Sequence, residues 1–85
     1  MKLKNWCFFG ADIEKKTFRL VGQVYGHDRF ENGELIRTSK IISFNIETMI
    51  AHSESGSSYE LGAMSQDLVD WMKKHGKRLK DFHNP

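Results

Sequence analysis

Apolar and polar positions alternate with strand periodicity over most of the chain and switch to helix periodicity near its C-terminal end. Leu3 to Phe9 is apolar and aromatic, and Gly10 closes it, which predicts a first strand. The largely polar stretch Ala11 to Lys16 predicts a turn. Thr17 to Tyr25 predicts a second strand, with Phe18, Leu20 and Val24 on one face and Thr17, Arg19 and Gln23 on the other. Gly22 interrupts that alternation and points to a bulge or bend. Glu31-Asn32-Gly33-Glu34 predicts a type I′ hairpin joining strands two and three, because Asn-Gly supplies the two positive φ angles such a turn needs.

A third strand is predicted from Leu35 to about Ile46, with Ile36, Ile42, Phe44 and Ile46 sharing a face. Thr38 and Lys40 break that face. A long strand with a polar middle bends or serves two sheets, which suits a curled sheet or small barrel. Met49 to Ser53 and Ser57 to Leu61 predict strands four and five, joined by a turn at Glu54-Ser55-Gly56.

One helix is predicted over 65–75. Ser65 is its N-cap, Asp67 complements the macrodipole, and Gly76 is its stop. Leu68, Trp71, Met72 and His75 fall on one face, and Asp70 can pair with Lys74 one turn on. The expectation is an α+β fold, a curled five-stranded antiparallel sheet or small barrel with one C-terminal amphipathic helix covering a sheet face. The 85 residues form one domain, with strands over 3–61 and a basic tail over 76–85. So short a chain buries only about 60% of its unfolded surface. Its ten aromatic residues enlarge an otherwise thin core.

A single cysteine, Cys7, excludes an internal disulfide and points to a reducing compartment. Met1-Lys2-Leu3-Lys4 has the charge of a signal peptide, but the apolar stretch Trp6 to Phe9 is too short for one. No run approaches the ~20 apolar residues of a membrane helix. These readings together predict a cytoplasmic protein. Residues 1–72 hold eight Lys/Arg against ten Asp/Glu. Lys73, Lys74, Lys77, Arg78 and Lys80 stand against Asp81 alone, so the positive charge belongs to the C-terminal segment.

Candidate chemistry is sparse. His52-x-Glu54 has the local spacing of a zinc deaminase, but the downstream cysteine pair is missing. His27, Asp28, His52 and Glu54 lie beside two different turns, and no spacing brings them together on a metal. Cys7 sits among aromatics, where a thiol is inert. Ser53, Ser55, Ser57 and Ser58 surround a glycine turn, with no nucleophile elbow and no phosphate loop. The expectation is therefore no catalytic residue, no metal and no cofactor. Two binding surfaces remain. Tyr25 on the polar face of strand two, with His27, Arg29 and Phe30, has the make-up of a protein-binding hot spot. Lys73, Lys74, Lys77, Arg78 and Lys80 are the candidate contacts to nucleic-acid phosphates.

The segment Gly22-x-Val24-Tyr25-Gly26-His27-x-Arg29-Phe30, then Gly33, Thr38-Ser39 and Ser55-Gly56-Ser57-Ser58-Tyr59-Glu60-Leu61-Gly62, resembles the small β-rich accessory proteins of phages and mobile elements, anti-CRISPR inhibitors among them. The resemblance spans about half the chain. It implies a non-enzymatic protein that blocks or sponges a host factor in the host cytoplasm. The leading expectation is a non-catalytic binding module, a small inhibitor or adaptor acting through a protein-protein surface. The alternative is a nucleic-acid-binding small barrel using the basic segment, and a small enzyme or metal-binding protein comes third.

Overall fold

The computed structural model describes residues 1–12 and 17–82. Its elements are β1 (Lys2–Asp12), β2 (Thr17–Tyr25), β3 (Glu34–Arg37), β4 (Ile41–Asn45), β5 (Ile50–Ser53), β6 (Ser58–Leu61), α1 (Gln66–His75) and a 3-10 helix (Leu79–Phe82). The strands form one sheet in the order β3-β2-β1-β6-β5-β4. The fold is β-rich with one α-helix, as the periodicities require. Two details of the expected sheet are corrected. It has six strands rather than five, and β1 pairs with β6 in parallel while every other pair is antiparallel. Nor is it a barrel, because β3 and β4 both remain edges.

The sixth strand comes from the polar middle of the long third run. β3 and β4 point the same way, so the run continues in direction while it changes edge. Thr38 still belongs to the first edge: its N–H donates to the Leu20 carbonyl at 2.8 Å, and its Oγ1 accepts from the Leu20 N–H at 2.9 Å. Two residues later the Lys40 carbonyl accepts from Glu54 N–H at 2.8 Å, beyond the end of β5. The crossing is thus centred on Ser39. Four residue steps from Arg37 to Ile41 span at most about 14 Å, so the two edges lie close together and the sheet must roll. Thr38, buried to 2% exposure, can occupy this corner because its hydroxyl is satisfied there.

The bulge expected at Gly22 is present but carried by β1, whereas the stop expected at Gly10 is not observed. Between Lys4 and Cys7 the register with β2 slips, so that Asn5 and Trp6 stand opposite Gly22 alone. Asn5 adopts a φ of 51°, the left-handed conformation of a bulge residue. The bulge lies on β1, and Gly22 is the partner that lets the strands close. Gly10, expected to end the strand, sits instead at a second register shift between Phe9 and Asp12, and β1 continues through it. Residues 13–16 of the expected turn fall outside the described residues.

The turn at 31–34 also differs. Gly33 has a φ of 88°, but Asn32 is not among the residues of positive φ. The signs are those of a type II turn, with the Glu34 N–H donating to the Glu31 carbonyl at 3.1 Å. It closes an eight-residue loop, 26–33, rather than a two-residue hairpin. Asn32 serves that loop through its side chain, which accepts from the Gly26 N–H at 2.9 Å. The second expected turn holds, with Gly56 at a φ of 90° between β5 and β6.

The concave face of the rolled sheet is the core. Leu3, Trp6, Leu20, Val24, Phe44 and Ala51 have no exposed surface. Trp6 donates its indole N–H to the Gly62 carbonyl at 2.8 Å, which joins β1 to the chain beyond β6. Phe8, Phe18 and Phe44 meet edge-to-face at 5.0–5.8 Å, the arrangement ring quadrupoles favour. Helix α1 is capped as expected: Ser65 Oγ accepts from Leu68 N–H at 3.2 Å, and Gly76 is left-handed with its N–H on the Met72 carbonyl. Only Leu68 and Met72 of the predicted face are buried. Trp71 stays 40% exposed and lies against His75, because a ten-residue helix on a strongly curved sheet buries only a narrow stripe. Asp70 takes Gln66, one turn back, as its partner at 2.9 Å.

Candidate functional site

The loop 26–33 organises the first surface. Gly26 turns the chain out of β2 with a φ of 75°. The Arg29 N–H donates to His27 Nδ1 at 3.0 Å, and the His27 ring lies 4.7 Å from the Phe30 ring. His27, Arg29 and Phe30 thus lie together in this loop. Tyr25 is not part of it. Its side chain lies on the opposite, convex face, under the Lys4 ammonium at 5.0 Å from the ring centre. The alternation of β2 itself separates them, since Tyr25 lies outward and the loop folds toward the rolled edge.

His27, Arg29 and Phe30 line a cleft of about 420 Å³ together with Ser39, Ser57 and Tyr59. Three chain segments meet there: the 26–33 loop, the Ser39 crossing, and the turn between β5 and β6. The crossing is fastened to that turn by serine hydroxyls. Ser39 Oγ donates to Ser55 Oγ at 3.1 Å and accepts from the Ser55 N–H at 3.2 Å, and Ser55 meets Ser53 Oγ at 3.0 Å. The serine cluster is therefore a structural clasp at the place where the sheet changes edge. No described carboxylate lines the cleft.

A second surface was invisible in the sequence because it is assembled across three strands. On the convex side of β1, β2 and β3 the outward positions include Lys2, Lys4, Phe9, Arg19, Val21, Gln23, Tyr25, Leu35 and Arg37. Neither α1 nor the 3-10 helix covers this side, since both pack on the concave core. Leu35 is 68% exposed and Phe9 45% exposed. The Arg37 guanidinium lies 4.5 Å from the centre of the Phe9 ring, and Lys4 lies over Tyr25, so the cations are held on aromatic faces. Among the described side chains, no outward position of these strands carries a carboxylate. A hollow of about 320 Å³ beside Phe9 and Arg19 is reached by Lys40.

The basic segment is not a free tail over its described length. Leu79 and Phe82 fold back onto the core, and Phe82 stacks on Phe8 with ring centres 4.2 Å apart. Lys73, Lys74, Lys77, Arg78 and Lys80 are all exposed around this folded turn. His52 Nδ1 contacts Ser58 Oγ at 2.7 Å across the β5–β6 ladder, away from His27. Among the described residues no three His, Cys, Asp or Glu side chains are placed to hold a metal. Cys7 is half-buried. Among the described residues no helix is long and apolar enough to cross a membrane. Comparison with protein-family models, with curated proteins and with solved structures finds no match for the chain.

Proposed function

We propose that the chain is a non-catalytic binding module whose partner is a protein, docked on the convex face of β1, β2 and β3. The observation that carries this reading is the uncovered patch of Phe9, Leu35 and Tyr25 interleaved with Lys2, Lys4, Arg19 and Arg37. Exposed apolar area bordered by cations, with no described carboxylate among its outward positions, fits a partner that presents an apolar contact ringed by acidic residues. Aromatic rings already flanked by cations lose little conformational freedom on docking, and desolvation strengthens the cation–ring contact.

The test is capture from lysate with immobilised protein, with and without nuclease, compared between the native chain, Arg19→Glu/Arg37→Glu and Ile42→Ser. The last variant changes an exposed apolar side chain on the far edge strand. The reading requires a protein that survives nuclease, is lost with the charge reversals and is kept by Ile42→Ser. Capture lost to nuclease would assign the function to nucleic acid instead. Sub-micromolar duplex binding at physiological salt, abolished when Lys73, Lys74, Lys77, Arg78 and Lys80 become Gln, would place it on the basic segment.

A further inference from the structure

The cleft at the edge crossing borders the convex face through Arg37, which lines it, and has chemistry of its own. Arg29 lines it, and its guanidinium makes no ion pair or hydrogen bond among the described residues. Five N–H donors are therefore uncommitted on a fork whose geometry matches two oxygens of an oxyanion. His27 Nδ1 is occupied as an acceptor by the Arg29 N–H, so the neutral ring carries its proton on Nε2, a further donor. Tyr59 is only 4% exposed, and its hydroxyl has no partner among the described residues. Among the described residues no buried polar side-chain atom is left unsatisfied, so that hydroxyl reaches solvent, and Tyr59 lines the cleft. Ser57 Oγ is likewise uncommitted, since the bonds of this residue use its backbone N–H and carbonyl. The Phe30 ring, 37% exposed, stands at the wall and offers a flat apolar surface.

We infer that this cleft binds a small phosphate monoester bearing a planar group, of the size of one nucleoside monophosphate. Arg29, His27 Nε2–H, Ser57 and Tyr59 supply donors to the phosphate, and Phe30 stacks the planar group. Neutral or cationic donors with no described carboxylate among them favour a dianion over a sugar or an amine. About 420 Å³ falls at the low end of the ~300–1,000 Å³ usual for small-molecule sites. The serine clasp holds the walls in place before a ligand arrives, which limits the ordering cost of binding.

The experiment is titration calorimetry of the purified chain with adenosine monophosphate, adenosine, inorganic phosphate and acetate. Adenosine monophosphate should bind best, inorganic phosphate more weakly, and adenosine and acetate least. Arg29→Ala should weaken adenosine monophosphate at least about tenfold, and Arg29→Lys should recover only part of that, because a point charge replaces a bidentate fork. Phe30→Ala should weaken adenosine monophosphate while leaving inorganic phosphate unchanged. Thermal melts of each variant, matching the native chain, exclude misfolding as the cause. The inference is overturned by the absence of binding at millimolar nucleotide, by equal binding of adenosine, or by binding undiminished in Arg29→Ala. Arg37 lines this cleft as well as the convex face, so Arg19→Glu alone is the capture variant that keeps the two tests distinguishable: Arg19 does not line the cleft, and neither Arg29 nor Phe30 belongs to the convex face.

Discussion

Replacing Gly22 by Ala tests the packing of the two longest strands at the β1 bulge. A Cβ built there lies 2.9 Å from Leu3 Cγ, 3.0 Å from the Lys4 carbonyl oxygen and 3.0 Å from Trp6 Cβ. One of these atoms is backbone, and Leu3 and Trp6 have no exposed surface, so none can swing away. Overpacking of this kind costs about 1–3 kcal/mol. Loss of glycine freedom in the unfolded chain returns about 0.4–1 kcal/mol, leaving a net loss of roughly 1–2 kcal/mol. For a domain of this size each kcal/mol moves the melting temperature by about 4–8 °C, so a fall on the order of 5–15 °C is expected. Urea titration should show a lower midpoint with an unchanged slope. Adding Leu3→Ala should give a double variant less destabilised than the sum of the two singles, because that side chain is one of the three obstacles. An unchanged melting temperature in Gly22→Ala would refute the steric argument, and strict additivity would remove Leu3 from it.

Gly33→Val should destabilise the fold through its φ of 88° rather than through contact, since only the Tyr25 ring lies within 4 Å of an added Cβ. Gly33→Asn should be milder, and equal melting temperatures for the two would contradict the backbone explanation. Leu68→Ala or Met72→Ala should each cost about 2–5 kcal/mol, whereas the half-exposed Trp71 should cost clearly less. A reversed order by urea denaturation would mean that α1 is rotated on the sheet. Phe82→Ala should cost on the order of 1–3 kcal/mol through loss of its stack on Phe8, and a melt identical to the native chain would return the basic segment to solvent.

Elements whose cause is local were legible. Alternation along β2, the Ser65 cap, the Gly76 stop and the Gly56 turn each depend on residues a few positions apart. What failed depends on distant partners. Parallel pairing of β1 with β6, Lys2 with Glu60 and Leu3 with Leu61, continued by the bridge of Trp6 to Met64, leaves no periodic trace. The polar middle of the third run was read as a bend in one strand, or a strand shared by two sheets, and is instead a break between two strands. That it moves the chain to the opposite edge follows only from the bonds of Thr38 and Lys40. Asn32-Gly33 imitates a tight hairpin, yet the Asn32 side chain is committed to Gly26, and the turn closes a longer loop. Leu79-x-x-Phe82 does carry a helical spacing that could have flagged the 3-10 turn, but the surrounding lysines mask it. At the candidate site His27, Arg29 and Phe30 were found because they are neighbours in sequence. Ser39, Ser57 and Tyr59 join them only through the rolled edge.

The β1–β6 join also bears on the order of folding. Strands 1 to 3 and strands 4 to 6 each form by local antiparallel pairing, while Leu3 and Leu61 enclose about two thirds of the 85-residue chain between them. Closing so long a loop costs entropy before any contact rewards it, so this join is a late event. On this hypothesis a substitution at Leu61 accelerates unfolding and leaves the refolding rate nearly unchanged. Stopped-flow refolding of Leu61→Ala decides it, and a slowed refolding limb would place the join in the nucleus instead. During synthesis the first strand must then wait, its apolar face unpaired on one side, until the sixth has emerged. That interval is when the chain is most open to pairing with another copy of itself.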